Sequence, residues 1–204
     1  MKTIATTLLL LFTALSMAQT PYEKAMGNAL ELLKTDNKAA AQQFERISKA
    51  EKENWLPAYY VALANIRSSW GQHGPEETLA TMKQAQEYIT LTDQLSPNNP
   101  EVMVLQGLLN TCWINYDESI YGMKLSAATS ALYEKAYAMA PDNPRVVSNR
   151  AQWLMGSARY FNKDVTPYCS GLEKAVALFG EETATGFEPS WGLQGTIDAQ
   201  KDCQ

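Results

Sequence analysis

The chain has 204 residues, 46% hydrophobic and 19% charged, enough apolar surface for one domain with its own core. Its formal charge is -5 and its 17 basic residues are scattered. No basic field exists to hold phosphate backbones, which excludes nucleic acid as a partner on electrostatic grounds.

Residues 1–18 have the three-part layout of a signal peptide: Lys2, an apolar run from Ile4 to Leu15, then Ser16 and Ala18 at the -3 and -1 positions. The run is shorter than the roughly 20 apolar residues that a bilayer crossing needs. Cleavage is expected between Ala18 and Gln19, with no Cys following for lipid attachment. The remainder, 19–204, is then a single exported domain, periplasmic or secreted, with no stable membrane insertion.

From Tyr22 the apolar positions Ala25, Met26, Ala29, Leu30 and Leu33 follow helical spacing. Asp36 and Asn37 break that run and cap a second helix with the stripe Ala40, Phe44 and Ile47. Trp55-Leu56-Pro57 opens a third, and GQHGP at 71–75 reads as a loop. Leu79, Met82 and Ile89 carry a fourth helix, which stops at Ser96-Pro97. Pro100 opens a fifth, a polar, glycine-containing link is expected at Asp117–Gly122, and a sixth runs to Met139. Pro144 opens a seventh, 162–167 is a loop, and Leu172, Ala175, Val176 and Phe179 mark an eighth. No stretch alternates with period two over β-branched residues, so the fold class is all-α.

Two segments repeat one pattern: ITLTDQLSPNNP (89–100) and LYEKAYAMAPDNP (132–144). The openings at Pro57, Pro100 and Pro144 are 43 and 44 residues apart, and seven positions after each stands Ala64, Gly107 or Ala151. Small residues let paired helices approach closely, with Ile89 and Tyr133 filling the gap from the second helix. Such pairs cannot bury their apolar faces alone and stack into a solenoid.

ALYEKAYAMAPDNP (131–144), with Tyr133, Ala136 and Pro141, resembles the second half of a tetratricopeptide (TPR) unit, and Gly107 and Ala151 resemble its first-helix small residue. The likeness is strongest over 89–151. It departs in length, the family unit being about 34 residues, and the surplus is expected between paired helices at 71–75 and 113–123. Pro189, Trp191 and Gly192 add a looser likeness to exported bacterial TPR-like proteins, which carries no activity with it. The resemblance implies a TPR-like helix–turn–helix solenoid of about four antiparallel helix pairs plus a C-terminal segment, in units 22–54, 55–98, 99–142 and 143–180 with a tail at 181–204.

Parts for catalysis are missing. His73 is the single histidine and sits in a Gly-Pro loop, where a solvated side chain is the plain reading. No C-x-x-C pair, nucleophile elbow, phosphate-cradling loop or dinucleotide fingerprint occurs. Glu181-Glu182 reads as a solvated helix end, and the aromatics at helical spacing, Trp70 and Trp153 among them, read as core. Tyr116 and Tyr121 are exceptions, which flank the 113–123 link and can reach a ligand from the rim. Neither an enzyme nor a cofactor is expected.

What remains is binding. The inner wall that the TPR resemblance implies comprises Asn65, Glu101, Val104, Leu108, Arg145, Ser148, Asn149 and Gln152. It is a mixed surface with one cation, suited to an extended peptide or a partner's helix. The leading expectation is a non-catalytic adaptor for a protein or peptide in the cell envelope. The alternative is a helical-repeat subunit that binds a small solute for a membrane transporter. An open groove favours the first, and a closed pocket between the repeats and the C-terminal segment favours the second. Of the three cysteines, Cys112 reads as a buried thiol. Three single pairings are possible, of which Cys169–Cys203 is favoured because it ties the tail to the body.

Overall fold

The structure, a computed structural model, describes residues 19–71, 74–183 and 185–203. The signal-peptide segment 1–18 and His73 lie outside the described residues. Among the described residues every regular element is helical: α1 (Pro21–Leu32), α2 (Asn37–Ala50), α3 (Trp55–Ser69), α4 (Pro75–Leu95), α5 (Pro100–Tyr116), α6 (Glu118–Met139), α7 (Pro144–Tyr160), α8 (Cys169–Glu181) and α9 (Leu193–Gln200). Two 3₁₀ turns, Thr166–Tyr168 and Lys201–Cys203, complete them. Consecutive helices pack as pairs from α1–α2 to α7–α8, and the first helices also touch one another, α3 with α5 and α5 with α7. The fold is a helix–turn–helix solenoid of four pairs closed by a C-terminal segment.

The repeated Pro-x-Asn-Pro has a mechanical explanation. In 97–100 and 141–144 the Asn is the N-cap, its side-chain oxygen accepting backbone N–H bonds: Asn99 from Glu101, and Asn143 from Arg145 and Val146. The second Pro is the first helical residue, where its missing N–H costs nothing. The first Pro sits just past the previous helix and blocks its continuation. Thr20 caps α1 in a capping box with Glu23, and Asp36 and Asn54 cap α2 and α3.

Gly107 and Ala151 are where the pairs cross. Gly107 on α5 lies under the Tyr133 ring of α6, and Ala151 on α7 meets Gly171 of α8. Between α5 and α6 the extra repeat length is not loop, whereas α3 and α4 are parted by the non-helical stretch before Pro75. α5 and α6 are separated by Asp117 alone, whose carboxylate accepts from the Ile120 N–H, and α4 and α6 run to 21 and 22 residues. The polar 117–122 link is thus the first turn of a helix: a good N-cap outweighs the propensity cost of one glycine at 122, about 1 kcal/mol.

α3 is buried on every side, from Pro57 through Ile66 without a break. An all-round apolar helix must lie at the centre of its domain. Here α2, α4 and α5 cover three sides, and the segment after α8 covers the fourth.

Candidate functional site

The segment after α8 turns back along the inner face of the solenoid and carries Cys203 in its 3₁₀ turn. That cysteine is bonded to Cys169 at the start of α8, with Sγ–Sγ 2.09 Å and Cα–Cα 5.9 Å. Gly192 makes the turn into α9 possible. Its φ of 116° belongs to glycine, and a Cβ there would lie 2.9 Å from the Phe179 ring.

A buried polar chain fastens this segment to the inner wall. Arg145 donates through Nε to Glu101 (2.8 Å) and through both Nη atoms to Glu182 (2.9 and 2.6 Å). Glu101 also accepts from Asn143 Nδ2 (2.6 Å) and from the Tyr59 hydroxyl (3.1 Å). The Tyr59 hydroxyl in turn accepts from Trp191 Nε1 (2.8 Å). Tyr60 donates to the backbone carbonyl of Phe187 (3.0 Å), and Ser148 shares a hydrogen bond with Thr196 (2.6 Å). Burial alone would pull the Arg145 guanidinium down; the Glu182 and Glu101 carboxylates more than offset this and leave it raised. Burial pushes the Tyr59 and Tyr60 phenols up, so both stay protonated donors. Each of these groups is satisfied by another, as buried charges require.

The residues expected to line an open inner wall are brought together, but they are covered. Asn65, Glu101, Val104, Arg145, Ser148 and Asn149 are buried; Leu108 and Gln152 are half-buried. Asn65 and Asn149 each bond a carbonyl one turn back, Val61 and Arg145 respectively. Glu182 is not a solvated helix end, because Arg145 takes both its oxygens. The groove that a peptide would enter is filled by the chain's own Phe187–Thr196.

Clefts lie on either side of Trp70, which is the C-cap of α3 and is 56% exposed. One, about 280 Å³, lies between the inner wall and the C-terminal segment. Leu63, Ile66, Arg67, Trp70 and Leu108 border it on one side, Ser148, Asn149 and Gln152 on another, and Trp191, Gly192, Gln194 and Gly195 on the third. The other, about 600 Å³, is bounded by Ser69, Trp70, Pro75, Thr78, Cys112, Asn115 and Tyr116. Burial pushes the Cys112 thiol up, which makes it a poor nucleophile or metal ligand at neutral pH. Among the described residues no group of three or more His, Cys, Asp or Glu is placed to hold a metal, and no helix is long and apolar enough to cross a membrane.

Sequence reasoning did not single out Arg67, and it read Trp70 as core. Trp70's place at the end of α3, next to the Gly71 loop, was the available signal. Trp191 was singled out only for a likeness, not for its place against Tyr59.

No protein-family model matches the chain, and no curated protein does. Among solved structures, the HusA haemophore from Porphyromonas gingivalis aligns with a TM-score of 0.79 over 92% of this chain and 96% of that one, at 23% identity. MamA 41-end from Desulfovibrio magneticus RS-1 aligns at a TM-score of 0.48 and 16% identity, over 91% of this chain and 89% of that one. The likeness to HusA extends over the whole helical array, and it is a likeness of fold.

Proposed function

We propose that this chain is an exported, non-catalytic TPR-like carrier of a small, flat, largely apolar molecule of the haem class, held in the clefts beside Trp70. The observation that carries the reading is the closed inner face. The chain's own C-terminal segment takes the place of a bound peptide and leaves one cleft between itself and the repeats, with the second on the other side of Trp70. That arrangement is the one expected of a small-solute binder rather than of a peptide adaptor. Pockets for small ligands are concave, mostly apolar, furnished with a few polar groups and about 300–1,000 Å³ in volume, a range that the larger cleft falls in and the smaller one borders. Trp70 and Trp191 contribute aromatic wall, and Leu108 contributes aliphatic wall. The HusA haemophore, alike in fold from end to end, supplies the ligand class.

Titration of the chain with haemin, followed by the porphyrin absorbance band and by tryptophan quenching, tests this. Saturable binding with about one molecule per chain, weakened at least tenfold in Trp70→Ala, is expected. Linear, unsaturated partitioning would refute it.

A protein partner is a second reading, favoured by a separate observation. Ile120, Met123, Tyr160 and Phe161 are exposed at one edge, where Tyr160 bonds Glu118, and Met123 is 98% exposed. Such a patch suits contact with an envelope protein that hands over or receives the ligand. Crosslinking capture that is lost in Ile120→Glu, Met123→Glu would support it.

A further inference from the structure

We infer that Arg67 is the anion-anchoring residue of the smaller cleft, and that the molecule held there carries a carboxylate. The inference rests on the reading of that cleft as the ligand site.

The chain has five arginines. Arg145 grips Glu101 and Glu182, Arg150 bonds Glu134, Arg159 bonds Asp202, and Arg46 bonds Gln43. Arg67 makes no hydrogen bond or ion pair to any described residue. Its guanidinium lies over the Trp191 ring, 5.5 Å from the centroid, and borders the cleft. It is half-buried, and the loss of water pulls its pKa down. Acidic residues outnumber basic ones, 22 to 17, yet none reaches it.

A desolvated cation with five donors and no acceptor is costly. The ring of Trp191 offsets part of that cost and holds the guanidinium beside the cleft. A planar guanidinium matches a carboxylate through two parallel hydrogen bonds. The surroundings agree. Gly192, Gln194 and Gly195 bring the start of α9 to the same cleft, and that helix has no side-chain cap on its first N–H groups. No lysine borders the cleft, so one guanidinium suits a singly charged carboxylate better than a phosphate dianion. The ligand's apolar body would lie against Trp70 and Leu108, with its acidic edge at Arg67.

Fluorescence titration of the chain with protoporphyrin IX and with its dimethyl ester, which removes both charges, provides the test. The wild type should prefer the diacid by roughly tenfold to a hundredfold. Arg67→Gln should lose that preference while binding the ester as the wild type does, and Arg67→Lys should recover part of it. Equal binding of acid and ester by the wild type would overturn the inference. So would an equal loss for both in Arg67→Gln, which would mean a packing role. 1-Pyrenebutyrate and its methyl ester form a second, non-porphyrin pair. If only this pair shows the Arg67-dependent preference, the anchor stands and the haem-class reading falls. If neither pair binds, both fall.

Discussion

Gly107→Ala adds one methyl group at the crossing of α5 and α6. A Cβ at this position would lie 2.6 Å from the Tyr133 hydroxyl oxygen and 2.8 Å from Cε1, far inside contact distance. Tyr133 is 2% exposed and has little room to swing. The helices cannot simply part, because Asn110 on α5 donates to Thr129 on α6 (3.0 Å) one turn away, and both are buried. Overpacking of this kind costs about 1–3 kcal/mol, against a gain of about 0.5–1 kcal/mol from replacing a helical glycine. The net expectation is a loss of about 1–2 kcal/mol, or roughly 2–8 °C in Tm for a chain of this size. Gly156→Ala is the matched control. It is exposed on α7, a Cβ there meets nothing within 4 Å, and it should gain about 0.5–1 kcal/mol. Urea and thermal unfolding by circular dichroism would measure both. If Gly107→Ala is as stable as the wild type, or moves in the same direction as Gly156→Ala, the crossing is misplaced.

Three further outcomes are expected. Arg145→Met strands the buried Glu101 carboxylate and should cost about 3–5 kcal/mol in urea unfolding, against little change for the exposed Lys34→Met. Replacing both Cys169 and Cys203 by serine removes a cross-link over 34 residues and should cost about 4 kcal/mol by the chain-entropy relation; hydrogen exchange should rise first in α9. Burial and then the Glu101 carboxylate raise the Glu188 pKa. A carboxyl raised in the folded state holds its proton longer there than in the unfolded chain. Its contribution therefore becomes unfavourable as pH rises past the ordinary glutamate range. Glu188→Gln should melt higher than the wild type at pH 7 and equal to it near pH 4; the reverse order would contradict the assignment.

What could be read from the sequence was local. Asn99-Pro100 and Asn143-Pro144 announce helix starts because the cap and the proline act within three residues of themselves. Gly107 and Ala151 announce crossings because both recur at one place in the period. The start of α6 was less legible, since Gly122 looked like a link until the Asp117 cap was seen to outweigh it. The inner face was not legible at all. Trp191 meets Tyr59 across 132 positions and Glu182 meets Arg145 across 37, and no spacing rule connects them. A wall of Asn, Glu, Arg and Ser reads as open when its partners lie in a tail with little periodicity of its own. Arg67 escaped for the same reason, because its lack of a carboxylate shows only when the packing is seen.

Hydrogen exchange of the whole chain with and without protoporphyrin IX, resolved by peptide mass spectrometry, tests the central claim most directly. The account predicts ligand protection confined to the end of α3 around Arg67 and Trp70, the second half of α5, Ser148–Gln152 of α7, and the Trp191–Gly195 turn. Protection limited to the Ile120–Met123 edge, or none at saturating ligand, would contradict it.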